Sequence, residues 1–219
     1  MTQINNEYIQ KTKQLIQDET NAELKSNETS VKAVVTELPI GFLKTTSFMA
    51  IFPSIISIIP LKILLGFDAL SILIAVIIMF LLQNERKTTK ERIIKHQINL
   101  AKGVDALSKS EDYSHILKGL VKQSYDNYIE KSKKVIEFKW DFIQNVSIIL
   151  SNLLLVAIRY INPSLLGTNP GLKPTWFSLC IVVVFIFGWY FSNHFTQKKM
   201  DSEKEQLYTK ANKQYQELL

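Results

Sequence analysis

The sequence predicts an all-helical polytopic membrane protein with four transmembrane helices in two hairpins and long amphipathic cytoplasmic helices. Three observations lead there. Apolar residues concentrate in two blocks, near 46–83 and 142–192, in a chain whose mean hydropathy is close to zero. The charges lie between and outside these blocks, and the polar segments keep helical spacing of their apolar residues.

Residues 3–25 carry Ile4, Tyr8, Ile9, Leu15, Ile16 and Leu24 at helical intervals. The run 26–30 is expected to break that helix, and a second piece, 31–38, to end before Pro39. The first apolar block exceeds the ~20 residues that cross a bilayer, so it is divided into spans at about 45–61 and 66–83. Pro53 is expected to kink the first, and Pro60 to Lys62 and Gly66 to Asp68 to punctuate the middle. Residues 84–107 form an amphipathic helix through Ile94, Ile98, Ala101, Val104 and Leu107. Ser108 to Glu111 fits a capping box that starts the next helix. Neither Pro nor Gly separates that helix from the third span, 140–161, which predicts one continuous helix of about 50 residues. The loop 162–174 holds three prolines and two glycines, and the fourth span, 175–192, runs into a polar final helix.

The domain plan follows: cytoplasmic helices at 1–44, a transmembrane hairpin at 45–83, a cytoplasmic helical hairpin at 84–139, a second transmembrane hairpin at 140–196 and a cytoplasmic helix at 197–219. Orientation comes from charge. Segments 1–45, 84–140 and 197–219 hold 5, 13 and 5 of the 26 basic residues, which places them and both termini in the cytoplasm. Trp140, Tyr160, Trp176, Trp189 and Tyr190 sit where an interfacial aromatic belt belongs. The first 25 residues lack the order of a signal peptide, so insertion falls to the internal spans. Lys-, Ile- and Asn-rich usage points to an AT-rich bacterial genome and hence to a bacterial inner membrane.

Residues 6–17 (NEYIQKTKQLIQ) align with 126–137 (DNYIEKSKKVIE) at an offset of 120, a pattern fitting either a duplicated helix–hairpin–helix unit or two Lys-rich helices of similar composition.

The chemistry-bearing candidates are few. Asp141, Asn145, Asn152 and Arg159 fall within about 40° of one another on the third span. Such groups avoid lipid, so they pack against another helix or line an aqueous path in an oligomer. Asp68 and Arg159 both fall near the outer boundary and are expected to form an intramembrane ion pair. Cys180 stands alone in an apolar run and reads as inert. His96, His115 and His194 lack ligand spacing, and no nucleotide-binding, hydrolase or metalloprotease motif is present. No cofactor, metal or catalytic residue is therefore expected. Segment 84–140 has a net charge of +5, but topology accounts for it without nucleic acid.

Arg92 and His96 resemble the Arg–His motif of HEPN-type ribonucleases, with three intervening residues where that family has four to six. In size, span count and basic helical segments the chain is similar to small multi-pass accessory and effector proteins of bacterial antiphage defence, such as the membrane proteins encoded beside RNA-targeting CRISPR nucleases. That resemblance implies modulation of a defence nuclease or permeabilisation of the membrane, and it carries over no site residue. The expected function is a non-enzymatic, homo-oligomeric membrane effector or pore subunit. The alternatives are a membrane-anchored adaptor binding a soluble protein through its cytoplasmic helices, and a small transporter with duplicated halves.

Overall fold

The computed structural model describes residues 6–49, 61–107, 113–161 and 176–219; side chains are described except at 61, 107, 113–114, 155–161 and 176–185. The described residues form four α-helices and no strand: α1 (Asn6–Met49), α2 (Leu61–Leu107), α3 (Tyr113–Ile161) and α4 (Trp176–Tyr215). They contribute to two compact units. The first comprises Met1–Lys32, Phe80–Phe138 and Met200–Leu219, and the second Ala33–Met79 and Lys139–Lys199. Every helix therefore contributes to both.

Continuity is the main departure from the sequence reading. Residues 26–30 do not break α1, which runs unbroken for 44 residues. Its hydroxyls are spent on the helix itself: Thr29 Oγ1 donates to the Lys25 carbonyl at 2.7 Å and Ser30 Oγ to the Ser26 carbonyl at 2.9 Å. Glu28 adds an i,i+4 pair with Lys32 at 3.0 Å and meets Arg86 of α2 at 3.1 Å. Pro39 does not end the helix either. A proline removes one hydrogen bond and crowds the preceding turn, at roughly 3 kcal/mol, which a helix packed along much of its length absorbs.

Gly66 to Asp68 likewise fails to interrupt α2, a helix of 47 residues. Leu64, Asp68, Ser71 and Ala75 are buried at steps of four, three and four, one continuous face through the glycine. That packing offsets the ~1 kcal/mol cost of a helical glycine. The 49 residues of α3 match the continuous helix predicted from the absence of Pro and Gly, about 74 Å at 1.5 Å per residue. Pro53, the 108–111 cap and the 162–174 loop lie outside the described residues.

The first unit has an ordinary apolar core drawn from all four helices. Leu15, Val121, Tyr215 and Leu218 form one cluster, with Tyr8, Tyr125 and Tyr128 packed on it. Ile16, Val104 and Leu117 form another, bordered by Ile9, Leu100 and Leu120. Tyr8 and Tyr128, equivalent in the 120-residue offset, rest on the same cluster. Polar contacts close the rim: Lys13 pairs with Asp105 at 2.6 Å, Lys204 with Glu137 at 2.7 Å, and Asn127 donates to Glu19 at 2.7 Å.

The second unit inverts this pattern. On α2 the buried face includes Asp68 and Ser71, while Ile63, Leu65, Phe67, Leu70, Ile72, Leu73 and Ile77 are exposed. Exposed contiguous apolar surface with polar residues inside is the arrangement expected of a helix facing hydrocarbon. Among the described residues one helix, over Lys62–Ala106, is long and apolar enough to cross a membrane. The other expected spans, 45–61, 140–161 and 175–192, each run into residues or side chains outside the description.

Leu117 is 1% exposed and its neighbour Ile116 is 55% exposed. Leu117→Ala is expected to cost about 2–5 kcal/mol and Ile116→Ala no more than about 0.5 kcal/mol, as measured by denaturant unfolding. A second expectation concerns pH. Burial, and then the Asp18 carboxylate that accepts a hydrogen bond from its hydroxyl, raise the Tyr215 phenol above its ordinary value near 10. The folded chain thus keeps a proton that the unfolded chain releases. The contribution is complete below pH 10 and declines as the pH climbs above it. Unfolding midpoints should fall more steeply above pH 10 in the wild type than in Tyr215→Phe.

Candidate functional site: a buried polar layer in the apolar unit

Within the second unit, two adjacent residues of α1 reach two different helices. Consecutive positions on a helix are turned by 100°, so Thr46 and Ser47 face separate neighbours. Thr46 Oγ1 donates to Asp68 Oδ1 of α2 at 2.9 Å. Asn152 Nδ2 of α3 donates to Ser47 Oγ at 3.0 Å. Ser71 Oγ donates to the Asp68 carbonyl at 2.8 Å and Ser47 Oγ to the Lys44 carbonyl at 3.0 Å. Thr46, Ser47, Asp68, Ser71 and Asn152 are all buried.

Two features of this layer stand out chemically. Asp68, 7% exposed, has Thr46 as its side-chain partner and no ion pair among the described residues. Asn152, 1% exposed, leaves its Oδ1 buried without a hydrogen-bond partner among the described residues. Buried polar atoms are nearly always satisfied, so an orphan in the same buried layer as a carboxylate marks a place where the fold is not spending its polar groups on packing alone.

The residues expected to form one stripe meet different fates. Asn145 Oδ1 accepts from Lys44 Nζ at 2.9 Å, and Asn152 bonds Ser47, so these two face α1. Gln144 bonds Asn193 of α4. Asp141 is exposed. The Arg159 side chain, and with it the Asp68–Arg159 pair, lies outside the described residues; Asp68 instead meets Thr46. Sequence reading missed Lys44, Thr46, Ser47 and Ser71. The signal available was a pair of adjacent hydroxyl residues inside an apolar block, and a serine three residues from Asp68.

An apolar groove of about 410 Å³ runs beside the layer, lined by Pro39, Leu43, Ile72, Ala75, Val146 and Ile149 among others. Leu43, Ile72 and Ile149 lie three or four residues from Thr46 or Ser47, Asp68 and Asn152, so the groove ends about one turn from the polar groups. Among the described residues no group of three His, Cys, Asp or Glu could hold a metal ion, and His96 is exposed.

The Ser47–Asn152 bond links α1 to α3. A double-mutant cycle of Ser47→Ala and Asn152→Ala, read by thermal unfolding of the purified chain, should give a favourable coupling of about 0.6–1.7 kcal/mol. Strict additivity of the two changes would remove the bond from the account. Comparison of the chain with protein-family models, with curated proteins and with solved structures returns no match.

Proposed function

We infer that the chain is a multi-pass protein of a bacterial inner membrane, crossing the bilayer four times with both termini in the cytoplasm, and that it acts as a non-enzymatic adaptor. Its membrane unit anchors it, and its cytoplasmic helices hold a soluble protein partner. The observation that carries the anchor is the inversion on α2, with Asp68 and Ser71 buried and a dozen large apolar side chains turned outward. The positive-inside distribution of the basic residues supports the orientation.

The docking surface that fits a partner is the stretch 81–99 of α2. Residues 82, 89, 93 and 97 are partly covered and the others are exposed. Ile94 and Ile98 lie one turn apart and are 37% and 49% exposed. Lys87, Lys90, Arg92 and Lys95 surround them, with Arg86 paired to Glu28 of α1, against Glu85 and Glu91 in the same stretch. Apolar anchors at i and i+4 within basic surroundings favour a partner helix with acidic flanks. The resemblance in size, span count and basic helices to antiphage accessory proteins supports a role for this adaptor in phage defence.

The competing reading is a homo-oligomeric pore lined by the polar stripe. The observation that weighs against it is the use of Asn145 and Asn152 in hydrogen bonds to α1 of the same chain.

Single cysteines read the topology in a Cys180→Ala background. Thr88→Cys and Lys210→Cys should resist a membrane-impermeant thiol reagent in intact cells, and Thr168→Cys should react. Labelling of Thr88→Cys from outside would overturn the orientation. Proteoliposomes carrying the full chain should retain an entrapped dye; release proportional to protein would favour the pore and sink the adaptor.

A further inference from the structure

We propose that the buried layer is a binding site for a small monovalent cation of the sodium type, held by the Asp68 carboxylate together with oxygens of Thr46, Ser47 and Asn152. Charge is the first argument. A carboxylate inside a protein needs a counter-charge or a proton, because transfer of the bare anion from water is costly. Among the described residues none supplies it: the Lys44 ammonium donates to Asn145, seven residues and about 10 Å along α3 from Asn152. Lys62 is exposed and lies six residues, about 9 Å, before Asp68 on α2.

Donor chemistry is the second argument. Thr46 Oγ1 gives its proton to Asp68 and offers its lone pairs; Ser47 Oγ gives its own proton to the Lys44 carbonyl, accepts from Asn152 Nδ2 and keeps one lone pair. Asn152 Oδ1 is buried with no donor against it among the described residues. These are hard, neutral oxygens around a single negative charge. Such a set suits an alkali cation and not a transition metal, which would seek nitrogen or sulfur. One carboxylate balances one positive charge, whereas a divalent ion would leave a net charge buried. Thr46 and Ser47 are adjacent and bond Asp68 and Asn152 respectively, which holds the two groups at one level of the unit. A bound cation would therefore tie α1, α2 and α3 together. The inference concerns the buried layer alone and stands apart from membrane topology and from partner binding.

The test uses the purified full chain in detergent. Its unfolding temperature is followed as NaCl replaces choline chloride at constant ionic strength. The wild type should gain roughly 3–6 °C at ten times the dissociation constant and then saturate. Asp68→Asn should lose the response, and Asn152→Leu should shift its midpoint at least tenfold towards higher sodium. Should Asp68→Asn fail to fold, radioactive sodium bound to the wild type and displaced by unlabelled NaCl but not by choline chloride reads the same site. Equal stabilisation by choline, or a sodium response that survives in Asp68→Asn, would overturn the proposal. So would stability that follows pH but not sodium, which assigns the counter-charge to a proton. Arg159→Gln should keep the wild-type sodium response; a response absent from the wild type and present only in Arg159→Gln would give the counter-charge to the arginine and overturn the site.

Discussion

Two neighbouring hydroxyls, Thr46 and Ser47, decide how the apolar unit holds together. Because they project 100° apart from one helix, one reaches Asp68 on α2 and the other Asn152 on α3. In a unit whose remaining surfaces are largely apolar, shape alone leaves helices free to slide or rotate against one another. Directional hydrogen bonds at one level pin both rotation and height. The bonds are short-ranged and individually modest, but breaking one leaves a buried polar group without a partner, which costs more than the bond contributes. Lys44 with Asn145 repeats the device two turns away on the same face of α3, and Gln144 with Asn193 extends it to α4.

The four helices obey two opposite burial rules along their lengths. In the first unit, aliphatic and tyrosine side chains are inside and the lysines and glutamates outside. In the second, α2 turns Asp68 and Ser71 inward and its isoleucines, leucines and phenylalanines outward. The switch happens within continuous helices, so backbone hydrogen bonds are satisfied throughout without a loop at the change of environment. Water outside one unit and hydrocarbon outside the other would produce this pattern from one physical principle.

Much of the helical plan was legible in the sequence because periodicity survives a change of environment. The long α3 followed from the absence of Pro and Gly between Tyr113 and Ile161. The breaks expected at 26–30, Pro39 and Gly66 did not follow, because local propensity costs at most a few kcal/mol and packing outweighs it. Asp68 and Asn152 were singled out as polar groups in apolar runs, but their partners were not. Thr46 and Ser47 look unremarkable in sequence, since hydroxyls are common in transmembrane segments and satisfy themselves on their own helix, as Thr45 does on the Gly41 carbonyl. Only the crossing of the helices shows which hydroxyl is turned to a neighbour. Asn145 and Asn152 of the expected stripe both bond α1, yet whether such a face meets a neighbouring helix or a second chain is set by tertiary packing, which periodicity does not contain.

Disulfide trapping tests the polar layer most directly. In a Cys180→Ala background, Ser47→Cys combined with Asn152→Cys should cross-link within one chain under mild oxidation. Ser47→Cys combined with Leu150→Cys should not, because Leu150 is 59% exposed on another side of α3. Efficient trapping of the first pair alone would place α1 and α3 in the register described. Equal trapping of both pairs, or of neither, would contradict it.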